Sequence, residues 1–206
     1  MTNNQLTPEN YNKALNILAV SDPDLSAIVS RFGPPPMWSR EPGFPTLVHI
    51  ILEQQVSLAS AKAAFERLLN VLPHLTPHTF LTLDDNTLKE IGFSRQKTHY
   101  CRILATAIEE KILSLDELAD MTDNQARLAL ESIKGIGRWT SDIYLLMALK
   151  RPDIWPAGDL ALVTAIMNIK NLEIRPTPEK FEMLGEPWKP WRAVAARLLW
   201  HYYLSC

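Results

Sequence analysis

Apolar residues recur at three- and four-residue intervals along almost the whole chain, and no stretch sustains the alternation that a half-buried strand needs. An all-α fold is the expectation. The first helix is the best marked: Thr7 stands as N-cap, Pro8 takes the first helical position, and Tyr11, Ala14, Leu15, Leu18 and Ala19 share one face before a stop at Ser21–Pro23. Arg31–Pro45 then holds five of the chain's 15 prolines together with Gly33 and Gly43, so it reads as a loop between packed elements and a plausible lobe boundary.

Further helices are expected at about Thr46–Gln55, with Leu47, Ile50 and Ile51 on a face that runs on into Gln54 and Gln55. A second set, Leu58, Ala61, Phe65, Leu68, Leu69 and Leu72, forms a stripe stopped by Pro73. Tyr100, Ile103, Leu104, Ala107, Ile108 and Ile112 make a third. From Thr122 a short helix runs to Ile133, the turn Lys134-Gly135-Ile136-Gly137 breaks it, and another helix goes from about Arg138 to Leu149. Asp159 lies near the start of a helix ending around Ile169, residues 171–190 read as irregular, and Trp191, Val194, Ala195, Leu198, Leu199, Tyr202 and Tyr203 stripe the last helix.

Composition narrows the functions on offer. A chain of 206 residues, 47% hydrophobic and 21% charged, can bury a core as one globule or two small lobes, which excludes a fibrous or disordered protein. The polar start Met1–Asn10 and the lack of a long apolar run give no signal peptide or membrane span, so a cytoplasmic, nucleoid-associated place is expected. Two cysteines, Cys101 and Cys206, provide no disulfide framework, zinc site or iron–sulfur cluster, and the five histidines lack a metal-binding spacing. No metal is expected. Asp142, Asp153, Glu109 and Glu110 have no partner signature and read as a solvated face. The net charge of −2 neither announces nor forbids a nucleic-acid partner, since counterion release depends on local basic residues.

Gly135 and Gly137 around Ile136 allow a turn whose successive N–H groups point outward together and grip an anion. The following helix adds its N-terminal partial charge, and Lys134 and Arg138 flank the turn, a set suited to one backbone phosphate. A plain corner between two helices accounts for the glycines equally well. Asp159 likewise has two readings, a helix N-cap and a reacting carboxylate, and a cap position would hold the side chain still for either.

Ile133-Lys134-Gly135-Ile136-Gly137-Arg138-Trp139-Thr140, followed by Trp155-Pro156-Ala157-Gly158-Asp159-Leu160, resembles the helix-hairpin-helix superfamily of DNA glycosylases, in its 3-methyladenine (alkylation-repair) branch. The likeness extends over about Leu47–Tyr203 through Ile51-Leu52-Glu53-Gln54-Gln55-Val56-Ser57, Gly92-Phe93-Ser94-Arg95-Gln96-Lys97 and Trp188-Lys189-Pro190-Trp191-Arg192. It implies two helical lobes with a central cleft: residues 46–150 with the hairpin at about 122–149, and residues 1–45 plus 151–206 with the catalytic aspartate and the terminal helix.

The resemblance puts the catalytic aspartate on Asp159, apt because breaking an N-glycosidic bond builds positive charge on the sugar. Strand-cutting members carry a nucleophilic lysine where this chain has Trp139, so a glycosylase without lyase activity is expected. Trp139 is then available to the base pocket, where an aromatic wall stacks on an electron-poor alkylated purine better than on a normal one. Trp191 matches the second pocket tryptophan. Trp38 and Phe44 offer a further wall, against core packing as the simpler reading of each, and Ile143 stands where relatives often have an aromatic. Gln55 takes the position of the wedge that fills the duplex when a base leaves the stack, with Gln54 as neighbour, and either amide can instead bond backbone at a helix end. Lys134, Gly135, Ile136, Gly137, Arg138, Thr140, Ser57 and Lys97 are the expected DNA contacts, though each can also be a cap or a solvated residue.

The expected activity is therefore hydrolysis of alkylated purines of the 3-methyladenine and 7-methylguanine type from damaged double-stranded DNA, leaving an abasic site. Two alternatives share the scaffold: a glycosylase for deaminated or mismatched bases, and a helix-hairpin-helix protein that binds DNA without chemistry. A monomer is expected, with no cofactor beyond a monovalent ion that the hairpin carbonyls can hold.

Overall fold

The computed structural model describes residues 5–206, so Met1–Asn4 of the polar start lie outside it. No strand occurs among the described residues, and none of their helices is long and apolar enough to cross a membrane. The chain divides into two compact units, one made of residues 1–39 and 149–206, the other of residues 40–148.

The continuous unit holds α3 (Phe44–Glu53), α4 (Leu58–Val71), α5 (Pro77–Leu81), α6 (Asp85–Ile91), α7 (Arg95–Glu109), α8 (Asp123–Glu131) and α9 (Arg138–Met147). Its centre is α3, which packs on α4, α7 and α9 and buries Leu47, Val48, Ile50, Ile51 and Leu52. The expected bounds of this helix need correcting at both ends. Proline is tolerated in a first turn, whose N–H groups have no partner in any case, so the helix starts at Phe44 with Pro45 inside it. It stops at Glu53, because Gln55 adopts a left-handed backbone with φ 56°.

The short helices α5 and α6 were not foreseen; each is little more than one or two turns, set by the caps Thr76 and Asp84. The expected stripe of α7 is buried only in part: Leu104 and Ala107 are buried together with Thr98, Cys101 and Ala105, and the helix ends at Glu109, leaving Ile112 beyond it 69% exposed. Leu58, assigned to the stripe of α4, is exposed as well.

The discontinuous unit holds α1 (Pro8–Ser21), α2 (Pro23–Phe32), α10 (Leu160–Ile169), α11 (Pro178–Gly185) and α12 (Arg192–Ser205). The first of these follows the sequence closely: Thr7 and Asn10 form a reciprocal capping box, and Tyr11, Ala14, Leu15 and Leu18 are buried. Asp22 then closes α1 and caps α2 with its side chain, a helix that the sequence reading passed over. Residues 178–185, expected to be irregular, are helical behind the cap Thr177.

The hub is α12, against which α1, α2 and α10 pack. Ala193 through Trp200 are buried on every side of it, so this helix is a core element rather than an amphipathic one. Within its centre Arg197 is fully buried, donating through Nη1 to the Ala193 carbonyl (2.9 Å) and through Nη2 to that of Trp38 (2.9 Å). Burial holds this guanidinium down to about 10.

Candidate functional site

In the continuous unit the turn after α8 brings the two glycines together for different reasons. Gly135 has φ +98°, and a Cβ there would lie 2.2 Å from Cγ of Tyr100, so both backbone and packing demand glycine. Gly137 has an ordinary extended backbone (φ −100°) and open space where a Cβ would stand. Neither strain nor crowding explains it. Gly137 opens α9 as an N-cap that has no side chain to cap it.

The end of α3 is joined to this turn by Gln54. Its Nε2 donates to the Gly135 carbonyl (2.9 Å) and to Oγ1 of Thr140 (2.9 Å), using both amide hydrogens. Gln54 is thus committed to the fold. Thr140, expected to reach phosphate, is 2% exposed and takes part in the same contact. Gln55 is exposed beside them. Lys97 donates from Nζ to the Leu52 carbonyl (2.6 Å), closing α3 from the side, and burial holds its ammonium below the usual lysine range. Ser57 is the N-cap of α4, accepting from the Ser60 N–H. Gln54, Gln55, Gln96, Lys97, Tyr100 and the 135–137 backbone line one open, mostly polar depression.

Lys134 and Gly137 are exposed, Ile136 is buried, and Trp139 is half-buried on the first turn of α9. Ile143 is buried, and Phe44 is 4% exposed with its ring edge-on to Phe80 at 5.9 Å, which makes it a core residue rather than a pocket wall. Asp142 corrects the solvated-face expectation outright: it is fully buried and bridges Arg127 Nε (2.8 Å) and Arg138 Nε (2.7 Å). Arg138 remains half-exposed, so a flank of the turn is held by a carboxylate beneath it.

In the discontinuous unit Asp159 caps α10, with Oδ1 accepting the Leu162 N–H (2.9 Å) and the Trp200 indole N–H (3.1 Å). The carboxylate is 8% exposed. Both readings of this residue therefore start from one geometry, a cap that also immobilises a carboxylate. Trp191 is half-buried as the N-cap of α12. Trp38 is half-buried, with its ring 6.4 Å from that of His201 and its carbonyl held by Arg197. Trp155 and Trp188 are core residues: the first stacks on Phe181 and the second donates to Asp22 Oδ2 (2.8 Å). Asp153, also read as solvated, is paired with Arg192 through Oδ1 (2.8 Å) and Oδ2 (2.9 Å).

The sequence reading missed the second donor on Asp159 and the Tyr100 buttress behind Gly135. Trp200 stands 41 positions from Asp159, and no periodicity connects them.

Residues 48–190 match the HhH-GPD superfamily of base excision DNA repair proteins. The chain belongs to this superfamily. Among HhH-GPD relatives, the alkylbase DNA glycosidase-like protein mag2 of Schizosaccharomyces pombe is 30% identical over 92% of each chain. DNA-3-methyladenine glycosylase 2 of Escherichia coli is 27% identical over 96% of this chain and 67% of its own. Among solved structures, the S. pombe 3-methyladenine DNA glycosylase Mag1, in complex with abasic DNA, superposes with a TM-score of 0.82 at 27% identity, over 91% of this chain and 95% of that one. The all-α HhH-GPD architecture expected from the motifs is the one the chain has.

Proposed function

We propose that this protein is a monofunctional DNA glycosylase that hydrolyses the N-glycosidic bond of alkylated purines, of the 3-methyladenine and 7-methylguanine type, in double-stranded DNA. The observation that carries this reading is Asp159, a nearly buried carboxylate with two donors on one oxygen, in the segment whose resemblance to the superfamily implies a catalytic aspartate.

In the reaction the C1′–N bond breaks and its electron pair leaves with the base, which alkylation has already made electron-poor. Positive charge grows on the sugar, and the fixed anion of Asp159 stabilises it. A water oxygen then bonds to C1′, its proton passes to the carboxylate or to solvent, and an abasic site remains. Trp191, in the unit that holds Asp159, stacks on the everted base, and stacking favours a cationic ring over a neutral one. Trp38 has the exposure for a further wall. Gln55 fills the duplex, since Gln54 is spent on the turn. The N-terminus of α9 at Gly137, with its partial positive charge and with Lys134 and Arg138, binds a backbone phosphate irrespective of sequence.

Trp139 stands in place of an amine nucleophile, so no covalent sugar adduct forms and the strand is not cut. A monovalent ion would be held by backbone carbonyls of the turn, where those of Ile133 and Gly135 each accept one hydrogen bond and keep a second lone pair. Its role would be to orient phosphate. No group of three or more His, Cys, Asp or Glu that could hold a metal occurs among the described residues. The chain acts as a monomer in this reading.

The test is to incubate the protein with randomly methylated DNA and identify the released bases by chromatography. Release of N3-methyladenine and N7-methylguanine, lost in Asp159→Asn while duplex binding survives, is the expected result. Release of hypoxanthine or uracil alone would assign the scaffold to deaminated bases, and binding without any release would refute catalysis. Cleavage at abasic sites by the unaltered protein would contradict the monofunctional assignment.

A further inference from the structure

We infer that Trp200 is a positioning residue for base release, acting through Asp159; this rests on the reading just given and deepens it. The Leu162 N–H that reaches Asp159 Oδ1 belongs to the helix Asp159 itself caps, and would be bonded by an aspartate at any such N-cap. The second donor is of another kind. The Trp200 indole comes from α12 and meets the same oxygen at 3.1 Å. A carboxylate oxygen has two in-plane lone pairs, and these two donors take both, so the plane of the carboxylate is fixed relative to two helices instead of one.

The indole is itself unable to swing. Trp200 is 8% exposed and ends a run, Ala193–Trp200, that is buried throughout. The same helix is N-capped by Trp191 and reaches the Trp38 carbonyl through Arg197, so α12 holds three of the residues assigned to the reaction, Asp159, Trp191 and Trp38. Charge stabilisation is strongest when the charge is oriented before the transition state forms, because no reorganisation is then needed as the sugar becomes positive.

The experiment replaces the N–H and keeps the ring. Trp200→Phe removes the donor with some loss of volume, and site-specific incorporation of 3-benzothienylalanine at position 200, with sulfur in place of the indole nitrogen, removes it with almost none. Both are compared with the unaltered protein and Asp159→Asn on a duplex carrying a single N7-methylguanine. The readouts are single-turnover rate at saturating enzyme, affinity for a duplex with a tetrahydrofuran abasic analogue, and Tm. We expect the single-turnover rate to fall about 10- to 100-fold in both variants, the effect of losing one hydrogen bond to a charged group, with duplex affinity unchanged and the sulfur variant's Tm retained.

A wild-type rate in the benzothienyl protein would overturn the inference, as would a rate loss matched by an equal loss of duplex affinity. Active wild type and inactive Asp159→Asn beside fully active Trp200 variants would sink the role of Trp200 alone. Absence of base release from the unaltered protein would sink the catalytic reading itself, and this inference with it.

Discussion

Asp142 and Gly137 are opposite cases of how a residue earns its place. Asp142 has Arg138 one helical turn before it in the sequence, a pairing that reads as a surface contact, yet a second guanidinium, Arg127 from α8, meets it in the core. Gly137 belongs to a pattern visible at once, yet nothing in the fold requires it to be glycine. The two glycines of the turn should therefore respond differently to substitution. Gly135→Ala combines a left-handed backbone with a collision against Tyr100, and should cost about 2–4 kcal/mol in denaturant unfolding. Gly137→Asp should leave stability within about 1 kcal/mol, since aspartate is a good N-cap, while weakening binding to all duplex sequences alike in fluorescence anisotropy. His49 offers a pH test. Its ring stacks on Phe65 at 4.3 Å, and burial is the main cause that holds its pKa below 6.5, with Glu53 opposing. As pH falls through 6.5 the unfolded chain takes up this proton before the folded one does, so the contribution of His49 to stability is present above that pH and lost below it. Urea midpoints measured from pH 7.5 to 5 should fall more steeply for the wild type than for His49→Gln.

At the scale of elements, the helix starts were legible where a cap and a proline stand together, as at Thr7–Pro8, because those bonds join residues three apart. The ends were less so. No local signal stops α3 at Glu53; its last turn is closed by Lys97 from α7, and the chain leaves it through the left-handed Gln55. The amide of Gln54 then ties this end to the glycine turn and the start of α9, so two elements that are separate in sequence form one platform. Gln54→Leu strands a carbonyl and a hydroxyl in a half-buried place and should cost about 2–3 kcal/mol by denaturant titration. It should also weaken duplex affinity while Gln55 is untouched, because the turn loses its support; full affinity in this variant would separate the two elements functionally.

The two units differ in how the chain builds them: one is a continuous run of residues 40–148, the other needs residues 1–39 and 149–206 together. The second is organised by α12, the last helix of the chain. Truncation after Trp191 removes the surface on which α1, α2 and α10 pack, so hydrogen exchange should show these three helices losing protection while the amides of α7 and α9 keep theirs; protection of α1 in the truncated chain would refute this. The sequence by itself determined the helical class, the capped start of the chain and the order of the motifs, because helical period and capping act between residues within about four positions of each other. Only the tertiary structure decided which face of α7 is buried, that Gln54 braces a turn 81 and 86 residues away, and that Asp159 is met by an indole 41 residues on. Those choices are made where two helices dock, and the partner that fixes each side chain is supplied by packing, which no local periodicity encodes.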